Sequence, residues 1–277
     1  MRALITGARG QLGSDLLALL PDAAAFGSSE LDVRDQAAVA EAVRTSRPDV
    51  VFNCAAYNPV DKAETEPETA MAVNAEGAAN VARVCAEAGS RLVHYSTNFV
   101  FAGDKADAYS EDDDPGPLGA YARSKLEGER LVLAALPSAL ILRTAGLFGV
   151  RGSAVKGGSF PERMIARARS GDALRVVADQ RLNPTFTGHL AAASVGYVRD
   201  GLEGVVHAVA QGCCSFADLA RAALGLAGLD TRVDDVTSAD INAAARRPLN
   251  GCLRSLRVEP LPPWQDGLAE WWRAFGK

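Results

Sequence analysis

The sequence lacks the features that mark metal sites, nucleic-acid binding and membrane insertion. Its three histidines, His94, His189 and His207, stand far apart, and an acidic stretch at 111–114 resembles a solvated loop, so we predict no metal site. No run of Lys or Arg occurs, and the formal net charge of −5 argues against nucleic acid or an anionic membrane as a partner. No apolar stretch is long enough to span a bilayer, and a strand-like run begins at residue 2. We therefore expect a cytoplasmic protein without a signal peptide.

The cysteines likewise lack the pattern of a disulfide framework. The cysteines are odd in number, contain no C-x-x-C pair and include two adjacent residues, which is a poor disulfide framework. We expect all of them to be reduced thiols, as is usual in a cytosolic protein. They are Cys54, Cys85, Cys213, Cys214 and Cys252.

The rest of the composition is that of a globular α/β protein. Of the 277 residues, 48% are hydrophobic and 23% charged, enough to bury a large core in one or two domains. Strands are predicted at 2–6, 24–26, 50–53, 91–96, 139–143 and 205–208. Helices are predicted at 11–20, 36–45, 68–88, 120–135, 188–199, 215–225 and 263–275. Such alternation predicts a Rossmann-type, doubly wound parallel sheet.

A glycine-rich turn follows the first predicted strand. Gly7, Gly10 and Gly13 are spaced Gly-x-x-Gly-x-x-Gly and lead into a helix that Pro21 stops. Glycines at this place let the backbone approach a pyrophosphate at the helix N-terminus. An ordinary turn would look similar, but the strand-turn-helix context favours nucleotide binding.

The domain organisation follows from this placement. Residues 1–148 are predicted to form a dinucleotide-binding domain, with a returning segment near 179–208. From residue 149 the pattern loosens into loop-like stretches at 149–153 and 156–159. We expect 149–277 to form mainly a smaller substrate-binding domain over the carboxyl ends of the strands, where ligands of α/β proteins bind.

The segment Tyr-Ala-Arg-Ser-Lys at 121–125 carries candidate chemistry. Tyr121 and Lys125 lie one turn apart on the same side of a predicted helix. An ammonium beside a phenol favours the phenolate, so we expect Lys125 to lower the pKa of Tyr121 and make it a general acid or base. Thr97, at the carboxyl end of a buried strand, adds a hydroxyl that could bind a substrate carbonyl. A Ser-Thr pair can also simply end a strand, but the order of these motifs favours catalysis.

Together these motifs give a family resemblance. The chain resembles the extended short-chain dehydrogenases/reductases and, among them, the dTDP-4-dehydrorhamnose reductase family. The matching segments run from end to end: TGARGQLG, ELDVRD, NCAAYNPVDKAE, the pair Val73-Asn74, HYSTNFVFAG, YARSKLEGE, LRTAGLFG, NPTFTGHLA and RRPLNGCL.

The resemblance implies reduction of the C4 ketone of a nucleotide-linked 4-keto-6-deoxysugar, dTDP-linked as in the family, with NAD(P)H as hydride donor. It makes Thr97, Tyr121 and Lys125 the catalytic set, with the last two also on the cofactor. It places Gly7, Gly10, Gln11, Leu12 and Gly13 on the pyrophosphate, Asp32 and Val33 beside the adenine, and Ala55, Ala56 and Tyr57 along the middle of the cofactor. We also consider a homodimer.

The sequence departs from the family where the substrate would bind. The usual Ser-Thr-Asp-Tyr is here Ser-Thr-Asn-Phe with Asn98, and the usual Arg-Thr-Ser-Trp is Arg-Thr-Ala-Gly with Gly146. Loss of the Trp face predicts an open pocket with Gly146 and Asn98 on either side of the sugar, suited to a modified 4-keto sugar rather than to the rhamnose precursor. Arg163, Arg181 and Arg247 are candidate cationic partners for the substrate diphosphate.

The sequence indicates only in part whether the cofactor is NADPH or NADH. NAD enzymes usually place an acid at the end of the second strand, whereas here the strand ends in Phe26-Gly27-Ser28-Ser29, with Glu30 slightly later. Arg9 in the glycine turn could meet a 2′-phosphate. We favour NADPH, with NADH as the alternative.

Two other functions stay open. One is an epimerase or dehydratase of the same superfamily that retains NAD, although Asn98 follows Thr97 where a dehydratase would need an acid. The other is a non-catalytic, reductase-like regulatory subunit, which the intact Thr97, Tyr121 and Lys125 disfavour.

Overall fold

The computed structural model describes residues 1–151 and 157–276, and its centre is a six-stranded parallel sheet with strand order β10-β5-β4-β3-β1-β2. The strands are β1 (Ala3–Thr6), β2 (Ala24–Phe26), β3 (Val50–Asn53), β4 (Arg91–Thr97), β5 (Leu140–Thr144) and β10 (Gly204–His207). The predicted α/β class and doubly wound sheet are confirmed.

Helices cover both faces of this sheet. They are α1 (Gln11–Leu19), α2 (Gln36–Ser46), α3 (Pro67–Met71), α4 (Ala78–Ala88), α5 (Ala120–Ala135) and α7 (Thr187–Arg199). Local signals fix their ends: the Asp35 carboxylate accepts a hydrogen bond from Ala38 N at the start of α2, and Arg47 ends that helix in the left-handed region.

The strands are apolar on both sides because both faces are covered. Ile5 and Phe52 pack on one face against α1 and α7, through residues such as Leu190. Leu4 and Val51 pack on the other face against α2 and α4. Because all six strands are parallel, their carboxyl ends lie at one edge of the sheet, and the glycine turn that follows β1 lies at this edge beside the ends of β3 and β4.

The later segments form a second apolar cluster around Trp271 and Phe148. It contains α6 (Phe160–Arg169), α8 (Phe216–Leu226) and α9 (Trp264–Phe275). The accompanying short strands are β6 (Leu147–Phe148), β7 (Leu174–Val177), β8 (Arg181–Leu182), β9 (Thr185–Phe186), β11 (Cys214–Ser215), β12 (Val233–Val236) and β13 (Asn250–Gly251). The division of the chain near residue 148 stays a prediction.

Three secondary-structure predictions differ from the structure. The helix predicted over 68–88 is divided, with a π-helical segment at Ala72–Gly77 between α3 and α4. Helix α6 was not predicted, although the Ser159 side chain and Glu162 form a capping box at its start. The short strands β6 to β9 and β11 to β13 were also not predicted, and residues 152, 153 and 156 of the loops predicted at 149–153 and 156–159 lie outside the described residues.

The cysteine prediction was wrong for one pair. Cys213 and Cys252 form a disulfide with a Cα–Cα distance of 6.0 Å. Cys54, Cys85 and Cys214 are free thiols. The bond joins two segments that lie 39 residues apart in sequence, a pairing that spacing alone does not reveal.

The acidic stretch at 111–114 is more than a solvated loop. The Glu111 carboxylate accepts hydrogen bonds from His207 N at 2.8 Å and Leu256 N at 2.9 Å, so it ties the edge strand β10 to the C-terminal segment. Asp113 pairs with Lys105 at 2.7 Å. In residues 1–151 and 157–276, no helix is long and apolar enough to cross a membrane.

Candidate active site

The glycine turn after β1 leaves backbone donors open at the start of α1. Gly7 has φ +63°, and a Cβ there would lie 2.7 Å from the Cys54 carbonyl carbon, so only glycine fits. Gly10 is the N-cap of α1, and no side chain caps this helix or places an acid in its first turn. Its N-terminal N–H groups therefore remain available to an anion.

Two observations fit a dinucleotide at this turn. The uncapped helix start with its close-packed glycines suits the pyrophosphate. The Gln11 Oε1 atom is buried with no hydrogen-bond donor among residues 1–151 and 157–276, and a donor elsewhere on a dinucleotide, such as a ribose hydroxyl, would satisfy it. Leu12 and Gly13 are buried just behind, in the first turn of α1.

Charged side chains surround the region beyond β2. Arg9 lies in the turn, and its Nη2 donates to Glu30 Oε1 at 2.7 Å. Asp32 pairs with Arg34 at 2.6 Å, while Val33 is buried. Arg9 and Glu30 therefore stand together where a dinucleotide would place its adenosine ribose.

Thr97 and Tyr121 meet at the carboxyl end of β4. The Thr97 hydroxyl accepts a hydrogen bond from Phe99 N at 3.2 Å and interacts with the Tyr121 phenol. The Phe99 ring packs edge-on against Tyr121, with ring centroids 5.8 Å apart. Desolvation raises the pKa of Tyr121 to about 12, and the interaction with Thr97 acts weakly in the other direction.

The expected effect of Lys125 on Tyr121 is therefore not seen in the free protein. Lys125 was predicted to lower the pKa of Tyr121, but burial outweighs any such effect. Lys125 is itself only 2% exposed, and burial lowers its pKa to about 8, with partial compensation by the Glu129 carboxylate. Its Nζ donates to the Tyr95 carbonyl oxygen at 2.6 Å.

Two residues that were not singled out hold α5 in place. Glu64 Oε1 accepts a hydrogen bond from Ala120 N at 2.7 Å and so caps the helix that carries Tyr121. The fully buried Asn74 accepts from Tyr57 N at 2.8 Å and donates to Ser124 Oγ at 3.0 Å. The family segments NCAAYNPVDKAE and Val73-Asn74 contained both residues, but only the fold shows that they converge on α5.

The predicted cofactor residues beyond β3 lie beside this site. Ala55, Ala56 and Tyr57 follow directly after β3 and are each partly exposed. Ala55 N donates to Thr6 Oγ1 at 3.3 Å, and the Tyr57 hydroxyl donates to Glu66 at 2.7 Å. The structure thus brings the predicted cofactor segments after β1, β2 and β3 to one edge of the sheet.

The predicted substrate residues are more scattered. Asn98 is buried, and its Nδ2 donates to the Gly251 carbonyl oxygen at 2.9 Å, so it anchors strand β13. Arg247 forms an ion pair with Asp61 at 2.6 Å. Arg181 lies exposed on β8, and Arg163 Nη1 donates to the Gly158 carbonyl oxygen at 2.8 Å. Their roles toward a substrate stay predictions.

The argument made for Gly146 needs correction. Gly146 has φ +55°, and a Cβ at this position would collide with Leu182 Cδ1 and lie 3.2 Å from Pro184 Cα. Glycine therefore satisfies a left-handed turn packed against the segment 182–184. The backbone at Gly146 therefore does not provide the open side of a sugar pocket that the sequence predicted.

A family model described as the RmlD substrate binding domain matches residues 1–276. The chain belongs to this family. The probable dTDP-4,6-dihydroxy-2-methyloxan-3-one 4-ketoreductase of Streptomyces antibioticus is 42% identical over 98% of this chain and 94% of that protein. The dTDP-4-dehydrorhamnose reductase of Mycolicibacterium smegmatis is 42% identical over 97% of this chain and 84% of that protein.

Solved structures of the same family share the whole fold. The dTDP-4-dehydrorhamnose reductase of Bacillus anthracis, solved in complex with NADP, superposes with a TM-score of 0.93 at 33% identity and covers 98% of each chain. The orthologue from Clostridium acetobutylicum gives a TM-score of 0.94 at 32% identity over 100% of both chains. The predicted family resemblance is confirmed.

Proposed function

We propose that this protein is an NADPH-dependent reductase of the C4 ketone of a dTDP-linked 4-keto-6-deoxysugar. The observation that carries the proposal is the meeting of the Thr97 hydroxyl and the Tyr121 phenol at the end of β4, with Lys125 one turn further along α5. Two hydroxyl groups placed together can bind one carbonyl oxygen and protonate it when it is reduced.

The glycine turn and the ends of β1 to β3 would hold the cofactor. The turn residues Gly7, Gly10 and Gly13 would face the pyrophosphate, and Arg9 would meet a 2′-phosphate. Ala55, Ala56 and Tyr57 would lie along its middle. When bound, the dinucleotide supplies the hydride. Support comes from the uncapped start of α1 and from the NADP-bound structure of the Bacillus anthracis relative.

Tyr121 acts as the proton donor in this proposal. Its pKa of about 12 keeps the phenol protonated before reaction, as a general acid requires. Thr97 Oγ1 accepts from Phe99 N and donates to Asn98 Oδ1 at 3.3 Å in the free protein, and in this proposal its hydroxyl hydrogen turns from Asn98 to the substrate oxygen. Lys125 holds the cofactor ribose and, when charged, stabilises the Tyr121 phenolate that remains after proton transfer.

The names of two relatives define the common substrate feature. One is named a probable 4-ketoreductase of dTDP-4,6-dihydroxy-2-methyloxan-3-one and the other a reductase of dTDP-4-dehydrorhamnose, and in both named compounds the ketone lies next to the ring carbon that bears the methyl group. We propose that this ketone is the group recognised here. Both relatives are 42% identical to this chain, so both sugars are tested as substrates. Arg181 and Arg247 are the proposed partners of the substrate diphosphate.

The test is a spectrophotometric assay of NADPH oxidation with both 4-keto sugar nucleotides and with NADH in place of NADPH. We expect oxidation of NADPH with at least one sugar, and its loss in Tyr121→Phe. Stoichiometric retention of NAD during turnover would indicate an epimerase or dehydratase instead. Cofactor binding without turnover of any 4-keto sugar nucleotide would contradict the proposal and favour a regulatory role.

A further inference from the structure

A row of buried polar side chains leads from β1 to Lys125. Thr6 and Asn53 are cross-strand neighbours at the ends of β1 and β3, and His94, in the middle of β4, is the neighbour of Asn53 on the next strand. Thr6 Oγ1 donates to Asn53 Oδ1 at 2.6 Å, and Asn53 Nδ2 lies 3.1 Å from His94 Nδ1. The other ring nitrogen, His94 Nε2, lies 3.4 Å from Lys125 Nζ. The first three side chains belong to residues that are 1% exposed, and the reaction proposed above does not use them.

The imidazole of His94 is neutral in this setting. Burial, together with the nearby Lys125, lowers the pKa of His94 well below its usual value. A neutral imidazole has one N–H donor and one acceptor nitrogen. As the side chains are oriented, Asn53 Nδ2 donates to Nδ1, so the ring hydrogen lies on Nε2 and points at Lys125 Nζ. That arrangement suits a neutral Lys125 amine, which accepts a hydrogen bond.

The same side chains can form the opposite arrangement. A half-turn of the Asn53 carboxamide turns its oxygen toward a hydrogen on His94 Nδ1, and Nε2 then accepts from the Lys125 ammonium. The amide nitrogen in turn donates to Thr6 Oγ1. The imidazole is neutral in both arrangements, so the only net change is one proton gained or lost by Lys125.

We propose that His94 is a positioning residue for Lys125, and that the Thr6–Asn53–His94 row reverses its hydrogen-bond direction when Lys125 gains or loses a proton. An ammonium has three N–H donors. The Tyr95 carbonyl oxygen takes one at 2.6 Å and His94 Nε2 takes the second. The third is thereby directed toward the cofactor ribose, and this step rests on the function proposed above.

Few other ionisable groups face Lys125. On α5 they are Tyr121, one turn before it, and Glu129, one turn after it; beyond β3 there is Cys54. Burial raises the pKa of the Cys54 thiol far above its usual value, so it carries no charge at neutral pH. Burial and the Glu129 carboxylate thus set the pKa of Lys125 in the free protein, and His94 Nε2, 3.4 Å from Nζ, is the side-chain atom within hydrogen-bonding reach of Lys125 in the part of the chain that the structure describes.

The test uses NMR of the free full-length protein. The sequence contains five lysines and three histidines, so ¹³Cε lysine and ¹⁵N imidazole spectra are sparse. Lys125→Arg assigns the Lys125 signal, and His94→Gln assigns that of His94. We expect a neutral His94 protonated at Nδ1 below the pKa of Lys125 and at Nε2 above it. A His94 tautomer that stays the same throughout the titration of Lys125 would overturn the proposal.

Two substitutions separate the two ring nitrogens. His94→Gln places a carboxamide near the position of Nε2, so it can still accept from Lys125, and the pKa of Lys125 should stay close to the wild-type value. His94→Asn is too short to reach Lys125, and its loss of a charge-assisted hydrogen bond should lower the pKa of Lys125 by about one unit. Equal pKa values of Lys125 in the two variants would contradict a positioning role.

The proposed function and this inference can fail separately. Both NMR measurements are made without cofactor or sugar nucleotide, so a protein that reduces no 4-keto sugar can still show the coupled titration. Conversely, normal reductase activity with an unchanged tautomer would leave the function intact and remove the role of His94. Both His94 variants carry a carboxamide and are close in size, so the comparison between them is not affected by the misfolding that a larger apolar side chain would cause.

Discussion

The Arg9 guanidinium and the Glu30 carboxylate form an ion pair, with 2.7 Å between Nη2 and Oε1. Glu30 also accepts a hydrogen bond from Gly27 N at 2.6 Å, which closes the turn after β2. These contacts lower the pKa of Glu30, so the carboxylate is charged at neutral pH. An arginine suits the 2′-phosphate of NADPH and a carboxylate suits the 2′-hydroxyl of NADH. The ion pair therefore contains one residue that favours each cofactor.

Arg9→Ala should therefore change cofactor preference. A charge-assisted contact to a 2′-phosphate contributes about 1.5–3 kcal/mol, so the KM for NADPH should rise roughly tenfold or more. The KM for NADH should stay nearly unchanged. Steady-state kinetics with both cofactors measures this. Equal changes in the two KM values would instead assign Arg9 to the folding of the turn.

Glu30→Gln is the matched variant on the other side of the pair. It removes the charge that restrains Arg9 and keeps a side chain able to accept from Gly27 N. We expect a lower KM for NADPH, because Arg9 is no longer restrained, and a higher KM for NADH, because the carboxylate that suits its 2′-hydroxyl is lost. An improved KM for NADH in this variant would show that Glu30 does not meet the ribose.

Tyr121→Phe should remove the proton donor while keeping the ring that packs against Phe99. NADPH binding should persist, and turnover should fall by a factor on the order of 10² or more. Cofactor fluorescence and steady-state kinetics separate these effects. Tyr197→Phe, on α7 near the start of the strands, is the control and should leave turnover unchanged. Near-normal turnover of Tyr121→Phe would contradict the mechanism.

Lys125 should make the protein less stable at neutral pH than at alkaline pH. Its pKa is about 8 in the folded protein and has an ordinary value of 10.5. Below pH 8 the folded state holds a buried charge. Between about pH 8 and 10.5 the unfolded state binds the proton and the folded state does not, so the free energy of unfolding rises with pH. Above that range both states are neutral and the penalty is gone.

Lys125→Met should remove this penalty. The free energy of unfolding of the variant relative to wild type should be about 3 kcal/mol more favourable at pH 7 than above pH 10.5. Urea denaturation across this pH range measures the difference. Lys62→Met is the control, because Lys62 is exposed and paired with Glu66, which raises its pKa. A difference between Lys125→Met and wild type that does not vary with pH would show that Lys125 is not desolvated.

Gly146→Ala should destabilise the fold. The left-handed backbone costs a non-glycine residue about 1–2 kcal/mol, and the collision with Leu182 adds to it. We expect a loss of roughly 2 kcal/mol or more in the free energy of unfolding. Gly196→Ala on α7 is the control: its Cβ would meet no atom within 4 Å, so a gain of about 0.5–1 kcal/mol is expected. An unchanged stability of Gly146→Ala would show that this turn relaxes freely.

The same reasoning changes what Gly146→Trp would report. An indole at this position cannot enter a sugar pocket without first displacing Leu182 and the segment 183–184. Loss of folded protein is expected rather than a shift between sugar substrates. Circular dichroism of the purified variant would distinguish the two results before any kinetic assay.

Much of the sheet could be predicted because its strands are locally distinct. The run at 50–53 coincides with β3, since a strand buried on both faces is almost wholly apolar, and the run at 24–26 coincides with the edge strand β2, which is apolar although its residues are partly exposed. The order of glycine turn, strand-end hydroxyl and Tyr-x-x-x-Lys also located Thr97, Tyr121 and Lys125 on the elements predicted for them.

What could not be predicted depends on contacts between distant segments. The Cys213–Cys252 bond and the Asn98 contact with Gly251 bring together residues that no local pattern relates. The raised pKa of Tyr121 follows from the burial around it and not from its spacing to Lys125. A glycine in a sequence likewise gives no sign of its φ, so Gly146 was interpreted as empty space rather than as a turn.

The Glu129 carboxylate ties helix α5 to two strands of the sheet. Glu129 lies one turn after Lys125 and receives Arg143 of β5 at 2.7 Å and the Ser96 hydroxyl of β4. Such a buried pair tolerates neither sliding nor rotation of the helix by a residue, because a shifted charge would be left unpaired. The positions of Tyr121 and Lys125 are thereby set by the sheet and not by the loops proposed to recognise the sugar. Proteins that descend from one ancestor could therefore differ in those loops, and so in the sugar that they bind, while the geometry of Tyr121 and Lys125 stays the same.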